Sequence, residues 1–538
     1  MKNLNKYFKE IPDFFSTRSL NDIGSVNDFL CPPIKWVNNP FSFYSMNKAV
    51  DKIINSPKNK PILIHGDCDA DGVSACSVLY SYLTQIGYNV HPYIPNSSLE
   101  GHIMSKKAID FAYSIGCPLI ITCDLGMGSH LEIEYAKDKS IDVIITDHHK
   151  IGISVPDAYA VINPWLNENK NLPFRDYSGS GVAFKLCHAI NNKLSLKEDF
   201  VNNLMGCAAI GTISDKVNIS NENRYISFYG YNQIKSGNNL GLSLLNNRLS
   251  RNKSELNLNK IIQIINMATK LEDPSIGVKL LTTSNPVQAN NYVNKILARY
   301  SKNKIIFSNA IESGIRQAHS QNYKKHKSIF ILSDYDSAYN GAIASRLTLK
   351  FNVPCAVLSK MNDSEFKGSC RSVEGVDMLS LINLNKDIFL NLGGHPMAAG
   401  FVIKHENINE FKKIFLDFMV DKNIFDKDKK DIIDGEISFS DIDSEMINFL
   451  KKFKPHSRGN HIPRFKTNKV KLVGKPGLFG TENNSIRFKL EHNKINLKAI
   501  GFNLINQFEI LLSKNKLDIE YSILINNNKV NLKVYNIS

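Results

Sequence analysis

Between Pro61 and Thr146 the apolar positions follow two rhythms. Short apolar runs at Pro61–His65, Asn89–Ile94, Pro118–Thr122 and Ile141–Thr146 read as strands. The stretches between them, Val73–Ile86, Ser105–Ile115 and Ser129–Asp138, repeat their apolar residues at helical spacing. Strands alternating with helices predict a parallel sheet in a doubly wound α/β fold. Further along, Leu258–Gln321 reads as largely helical, with too little Gly or Pro for a loose linker. Towards the C-terminus, "HIPRFKTNKVKLVG" and "SIRFKLEHNKINLKAIGF" are short β-like runs separated by turns. The first fifty residues are mixed and carry no legible motif.

The loop after the first run places His65, Asp67, Asp69 and Asp71 within "ILIHGDCDADGVSA". Carboxylates that close repel one another, and a multivalent cation is the usual remedy. D-x-D-x-D-G also opens a calcium-sensor loop, but the twelfth position counted from Asp67 is Val78, and a strand precedes the motif. Calcium sensing is excluded. Asp67, Asp69, Asp124 and the pair Asp147/His148 each lie just past a predicted strand, at the sheet edge where ligands bind. Asp71 is expected to cap the helix that opens at Val73. "GCAAIGTISDKV" predicts a buried small-residue helix finishing at Asp215, a carboxylate that is costly to bury without a cation.

Composition narrows the class. A chain of 538 residues with 43% hydrophobic content suggests three or four domains with real cores. No apolar run reaches the twenty or so residues of a membrane span, and the N-terminus lacks the apolar core of a signal peptide. Nine cysteines without a C-x-x-C pair point to reduced thiols in the cytoplasm and argue against zinc. Much of the +15 net charge sits at the C-terminus: Lys451–Ser538 holds 17 basic and 5 acidic residues, whereas Asp421–Leu450 holds 4 and 9. That imbalance points to a polyanion partner.

"HGDCDADG", "CDLGMGS", "TDHH" and "GTISD", in this order, resemble the four motifs of the DHH phosphoesterase superfamily; "SGSGVAFKL" and "ENR" resemble its flanking signatures. "KGSCRS" and "GGHPMAAG" resemble the DHH-associated domain, and "DGEISFSDID" with "KPHSRGNHIPRF" is similar to the start of an OB-type domain. The order is that of the RecJ family of single-strand-specific exonucleases. The resemblance implies an N-terminal extension (1–50), a parallel-sheet DHH catalytic domain (51–250), a helical connector (251–325), a smaller α/β DHH-associated domain (326–420) and a C-terminal OB-type β-barrel (421–538).

It further implies two divalent cations, Mn2+ or Mg2+, one at Asp69, Asp124, His148 and Asp215, the other at His65, Asp67, Asp69 and Asp124. His149 would stand beside the scissile phosphate. Arg371 and Ser369, with Gly394, His395, Arg346 and Lys270, would grip the strand, the Gly-Gly-His turn resembling a helix start that offers free N–H groups. Phe465, Phe488 and Phe502 interleave with basic residues as in barrels that stack single strands. The implied activity is 5′-to-3′ hydrolysis of single-stranded DNA to 5′-mononucleotides, in recombination and repair. A monomer is expected, away from membranes, with single-strand-binding protein or a helicase as possible company. Two other readings belong to the same superfamily: a nanoRNA or 3′-phosphoadenosine-phosphate phosphoesterase, and a silent scaffold of the replicative helicase. The chain departs from the family pattern at Cys68, Ser97, Lys270, Tyr335, Asp336 and "KPHSRGN", none of them an expected ligand.

Overall fold

The computed structural model describes residues 4–96, 100–249, 256–420, 432–480, 484–526 and 529–538. Two compact units divide the chain, one holding residues 1–96, 100–294 and 431–538, the other 97–99 and 295–430. Ser97 lies outside the described residues.

In the first unit, β1 (Pro61–Gly66), β2 (Asn89–Tyr93), β3 (Leu119–Cys123), β4 (Asp142–Thr146) and β5 (Ala160–Ile162) form a wholly parallel sheet in the order β2-β1-β3-β4-β5. β1 and β3 are buried along their whole length, which is why they read as continuous apolar runs. β5 is three residues long and gave no pattern to read. The ladder runs one step past each strand: Asp67 N donates to Cys123 O (3.1 Å), Asp124 N to Thr146 O (2.9 Å) and Asp147 N to Ile162 O (3.1 Å). Three acids from three segments are thereby held in register along one sheet edge. Helices Ala70–Gln85, Gly179–Lys193 and Met205–Ser214 pack against one another beside it.

Past three helical segments, Leu258–Ala268, Ile276–Thr282 and Pro286–Ser320, the second unit forms a mixed sheet. Its strands are β6 (Ile329–Ser333), β7 (Cys355–Lys360), β8 (Glu365–Arg371), β9 (Phe389–His395) and β10 (Ala398–Lys404), in the order β6-β7-β8-β10-β9. Here the expected helix start at "GGHPMAAG" is corrected. Gly393, Gly394 and His395 end β9 and turn into β10 as a hairpin. Gly394 has φ +144°, and a Cβ there would lie 2.4 Å from Ala398 O. The glycine serves a close backbone approach and leaves no ring of free N–H groups.

The C-terminal segment closes into a barrel. β11 (Gly435–Glu436), β12 (Phe465–Leu472), β13 (Gly477–Phe479), β14 (Ser485–His492), β15 (Ile495–Gly501), β16 (Leu517–Asn526) and β17 (Lys529–Ile537) run in the order β11-β12-β16-β17-β15-β14-β13, and β12 pairs again with β14. That second pairing closes a five-stranded OB-type barrel. Residues 4–30 share its core: Tyr7, Phe14 and Phe15 meet Phe449, and Phe14 meets Phe453 edge-on. Arg18 pairs with Asp434 at 2.6 Å, both side chains fully buried. Phe465 and Phe488 are core residues; only Phe502 of the three interleaved phenylalanines reaches the surface, 50% exposed. All nine cysteines are free. Among the described residues no helix is long and apolar enough to cross a membrane.

Candidate active site

The acidic motif folds into the turn between β1 and its helix. Asp69, not Asp71, caps that helix: its Oδ1 accepts from Asp71 N (2.9 Å) and Gly72 N (3.0 Å). Asp71 lies inside the first turn and reaches across to the helix Gly179–Lys193, accepting from Gly179 N (2.7 Å) and Ser180 N (2.9 Å). Glycines make the approach possible. A Cβ on Gly179 would sit 2.3 Å from Asp124 Cβ, and one on Gly211 would sit 2.1 Å from Asp71 Oδ1. The glycines of "SGSG" and "GTISD" are thus the price of bringing two helices down onto buried carboxylates.

His148 reaches this cluster from the end of β4. Its Nε2 lies 3.1 Å from Asp124 Oδ1, 3.7 Å from Asp215 Oδ2 and 4.0 Å from Asp71 Oδ2. Asp124 Oδ1 and His148 Nε2 are both buried and lack a hydrogen-bond partner. Asp124 takes a left-handed backbone, φ +66°, uncommon for a residue other than Gly, Asn or Asp and frequent at functional sites. Donor atoms within 4.8 Å of one another group as Asp67–Asp69–Asp124, as Asp71–His148–Asp215 and as Asp124–His148–His149. Carboxylate oxygens joined by imidazole suit a hard or intermediate divalent cation.

The electrostatics agree. Burial, then Asp71 and Asp69, push the Asp124 carboxyl well above its ordinary range. Burial and Asp67 lift Asp69 to about 6; burial and Asp71 lift Asp215 to about 8. Burial lowers His148, keeping a lone pair for a ligand. His149 goes the other way, up to about 9, through its Nδ1 contact with Asp147 Oδ1 at 2.8 Å. Asp147 also accepts from the N–H groups of Met127, His148 and His149 and stays below the usual carboxylate range against the opposing pull of burial.

Three family models match in order: the DHH family N-terminal domain over residues 61–212, the DHHA1 domain over 327–421 and the RecJ OB domain over 433–535. The chain thus carries regions similar to the DHH, DHHA1 and RecJ OB domains, in that order. Among curated relatives, the single-stranded-DNA-specific exonuclease RecJ of Bacillus subtilis is 29% identical over 86% of this chain and 59% of its own length. The RecJ of Haemophilus influenzae is 26% identical over 92% of this chain and 90% of its own. The chain therefore spans about three fifths of the first relative and nearly all of the second. A crystal structure of RecJ from Thermus thermophilus in complex with Mn2+ superposes with a TM-score of 0.80 at 21% identity, over 100% of this chain and 77% of that one.

Not every expected residue joins the cluster. His65 is fully buried with both nitrogens occupied: Nε2 accepts from Ser105 N (3.0 Å) and Nδ1 faces Gly66 O (3.1 Å). It falls outside the grouped donors, and Asp71, expected only as a cap, falls inside them. Asp215 is not the buried carboxylate expected; its side chain is 31% exposed at the rim. Asn266 Oδ1 accepts from Ala70 N at 2.6 Å, pinning the acidic turn to the helix Leu258–Ala268, with Lys270 half-buried just beyond that helix. In the second unit, Arg371 donates to Ser345 Oγ (3.1 Å) and Ser369 Oγ (3.0 Å). Strand register sets Arg371 and His395 on either side of Ala398, with Ser369 and Gly393 on either side of Gly400. Gly394 sits between the two pairs, while Arg346 is exposed on the helix Asn340–Phe351. Sequence reasoning left Asp147 without a role of its own. Its signal was there, since an acid directly before two histidines can orient both.

Proposed function

We propose that this chain is a metal-dependent 5′-to-3′ exonuclease that hydrolyses single-stranded DNA to 5′-mononucleotides, in the cytoplasm, in recombination and repair. The observation that carries the metal-dependent chemistry is the pair of orphaned buried atoms, Asp124 Oδ1 and His148 Nε2, ringed by Asp67, Asp69, Asp71 and Asp215. Bare carboxylates this close are unfavourable, and Mn2+ or Mg2+ resolves the conflict. We assign one cation to Asp124, His148 and Asp215 beside Asp71, and the other to Asp67, Asp69 and Asp124, so that Asp124 serves both. Bound there, the cations supply an activated water and neutralise charge growing on the phosphoryl oxygens.

The protein's own residues do the rest. Asp69 and Asp71 spend their spare lone pairs on backbone N–H groups, which fixes the carboxylates before any ion arrives. His149, charged through Asp147 and with a side chain 56% exposed, presents an N–H to a phosphoryl oxygen. Arg371, braced by Ser345 and Ser369, offers its remaining guanidinium N–H to the strand backbone. Polarity and substrate rest on the likeness to RecJ and on the match of the C-terminal barrel to the RecJ OB domain. A monomer acting beside a single-strand-binding protein or helicase fits this reading. The test is a single strand labelled separately at each end and digested with and without Mn2+, with Asp69→Ala and Asp124→Ala as controls. Mononucleotide release from the 5′ label, lost in both variants, supports the proposal; release from the 3′ label first overturns the polarity.

A further inference from the structure

One group of metal-competent side chains shares only Asp67 with the assignment above. Cys68, between Asp67 and Asp69, turns its thiol towards the loop after residue 100. Its Sγ lies 3.7 Å from Gly101 O and 3.4 Å from His102 Nδ1. That same Nδ1 is 3.1 Å from both oxygens of Asp67. Among the described residues this is the only grouping of metal-competent donors that contains a cysteine.

We propose that Asp67, Cys68 and His102 form a separate site for a borderline-soft divalent cation, Zn2+, which withdraws Asp67 from the oxygen-rich cluster and inhibits the enzyme. Thiolate, imidazole and carboxylate are the donor set that Zn2+ accepts in fours, here with water in the last place. Tetrahedral bonds of about 2.0–2.3 Å set donor atoms roughly 3.4–3.6 Å apart, close to the 3.4 Å and 3.1 Å that His102 Nδ1 already keeps from Cys68 Sγ and the Asp67 oxygens. Mg2+ and Mn2+ prefer oxygen, so thiol and imidazole select against them. His102 is 66% exposed at its side chain, which leaves the ion a way in, and the neighbouring carboxylates attract it. Burial and Asp67 push the Cys68 thiol up, so the metal must expel its proton to solvent, as zinc does when it takes a thiol ligand. The expectation against zinc rested on cysteines pairing with cysteines; this site needs one.

The inhibitory consequence rests on the exonuclease reading; the metal site does not. The full chain, stripped of metal and reloaded with excess Mg2+, is titrated with Co2+. The expected result is a near-ultraviolet thiolate-to-cobalt charge-transfer band that saturates and is bleached by Zn2+. Cys68→Val abolishes the band, and His102→Ala, at an exposed position that folding tolerates, weakens Co2+ binding by about tenfold or more. Zn2+ slows Mn2+-supported digestion of the native chain and leaves Cys68→Val unaffected. No band in the native chain, or an undiminished band in Cys68→Val, overturns the site. Failure of digestion with every metal would sink the exonuclease reading while the cobalt band still decides this one.

Discussion

His148 Nε2 lies 3.1 Å from Asp124 Oδ1, and neither buried atom has a hydrogen-bond partner. A buried carboxylate oxygen facing an unpaired imidazole nitrogen costs free energy that a shared cation recovers. Asp124→Asn therefore separates stability from function. The metal-free variant melts above the native chain because Asn spares the cost of burying an ionisable carboxyl beside Asp71 and Asp69. Mn2+ at a hundredfold over its Kd stabilises the native protein by about 2.7 kcal/mol and the variant by far less. Activity falls about 10²–10³-fold or more. Calorimetry with and without Mn2+, alongside a nuclease assay, checks all three.

Gly179→Ala tests how tightly the second helix must close on the site. The added methyl would sit 2.3 Å from Asp124 Cβ and 2.4 Å from its Oδ1, where nothing flexible can yield. The expected outcome is a loss of about 1–3 kcal/mol in unfolding free energy, with a drop in metal affinity. Gly128→Ala, where a Cβ meets nothing within 4 Å, is the matched control and leaves Mn2+ binding intact. Equal metal affinities in the two variants would refute the packing argument.

How far the sequence carried can be judged at these residues. Asp67, Asp124 and His148 were legible because each follows a continuous apolar run, and a buried parallel strand leaves few alternatives. The cap fell to Asp69 and not Asp71 because both acids suit a helix start, and Asp71 instead reaches the helix Gly179–Lys193. The reading of His65 as a ligand depended on its motif position; a single backbone N–H, from Ser105, occupies the nitrogen in question. The N-terminal segment looked featureless because its aromatic residues complete a core whose other half lies more than four hundred positions away. Such a partnership has no local period. Deleting Asp434–Ser538 would therefore strip Arg18 of its buried partner and expose Phe14 and Phe15, so binding losses in that truncation would mix with unfolding.

Acid sensitivity should map to His456, in the stretch "KPHSRGN". Burial, with Arg18, Lys454 and Arg224 nearby, holds its imidazole down at about 3, against roughly 6.5 unfolded. The unfolded chain then binds the extra proton, so this contribution to stability is fully present above about pH 6.5 and is lost as pH falls towards 3. At pH 5.5 the loss amounts to about 1.4 kcal/mol from this residue. His456→Phe removes a titrating group from a cationic, apolar setting. Its melting temperature should fall less than the native chain's between pH 7.5 and 5.5; parallel curves would exclude His456 as the source.

On the barrel, the ring of Phe479 meets Phe502 edge-on at 5.8 Å, and the Arg487 guanidinium lies 5.0 Å over Phe479. With Phe502 half exposed, these three side chains offer an aromatic face and a fixed cation together, the combination that holds single strands without reading their sequence. Phe502→Ala should weaken single-strand binding by about 1–3 kcal/mol with an unchanged salt slope, because a stacking contact releases no counterion. Arg487→Ala should weaken it less and lower the slope of log affinity against log salt by about 0.7, the share of one phosphate contact on a single strand. Fluorescence anisotropy at several salt concentrations separates the two effects. An Arg487→Ala variant whose slope matches the native chain would place that guanidinium away from the phosphates, leaving it a purely structural partner of Phe479.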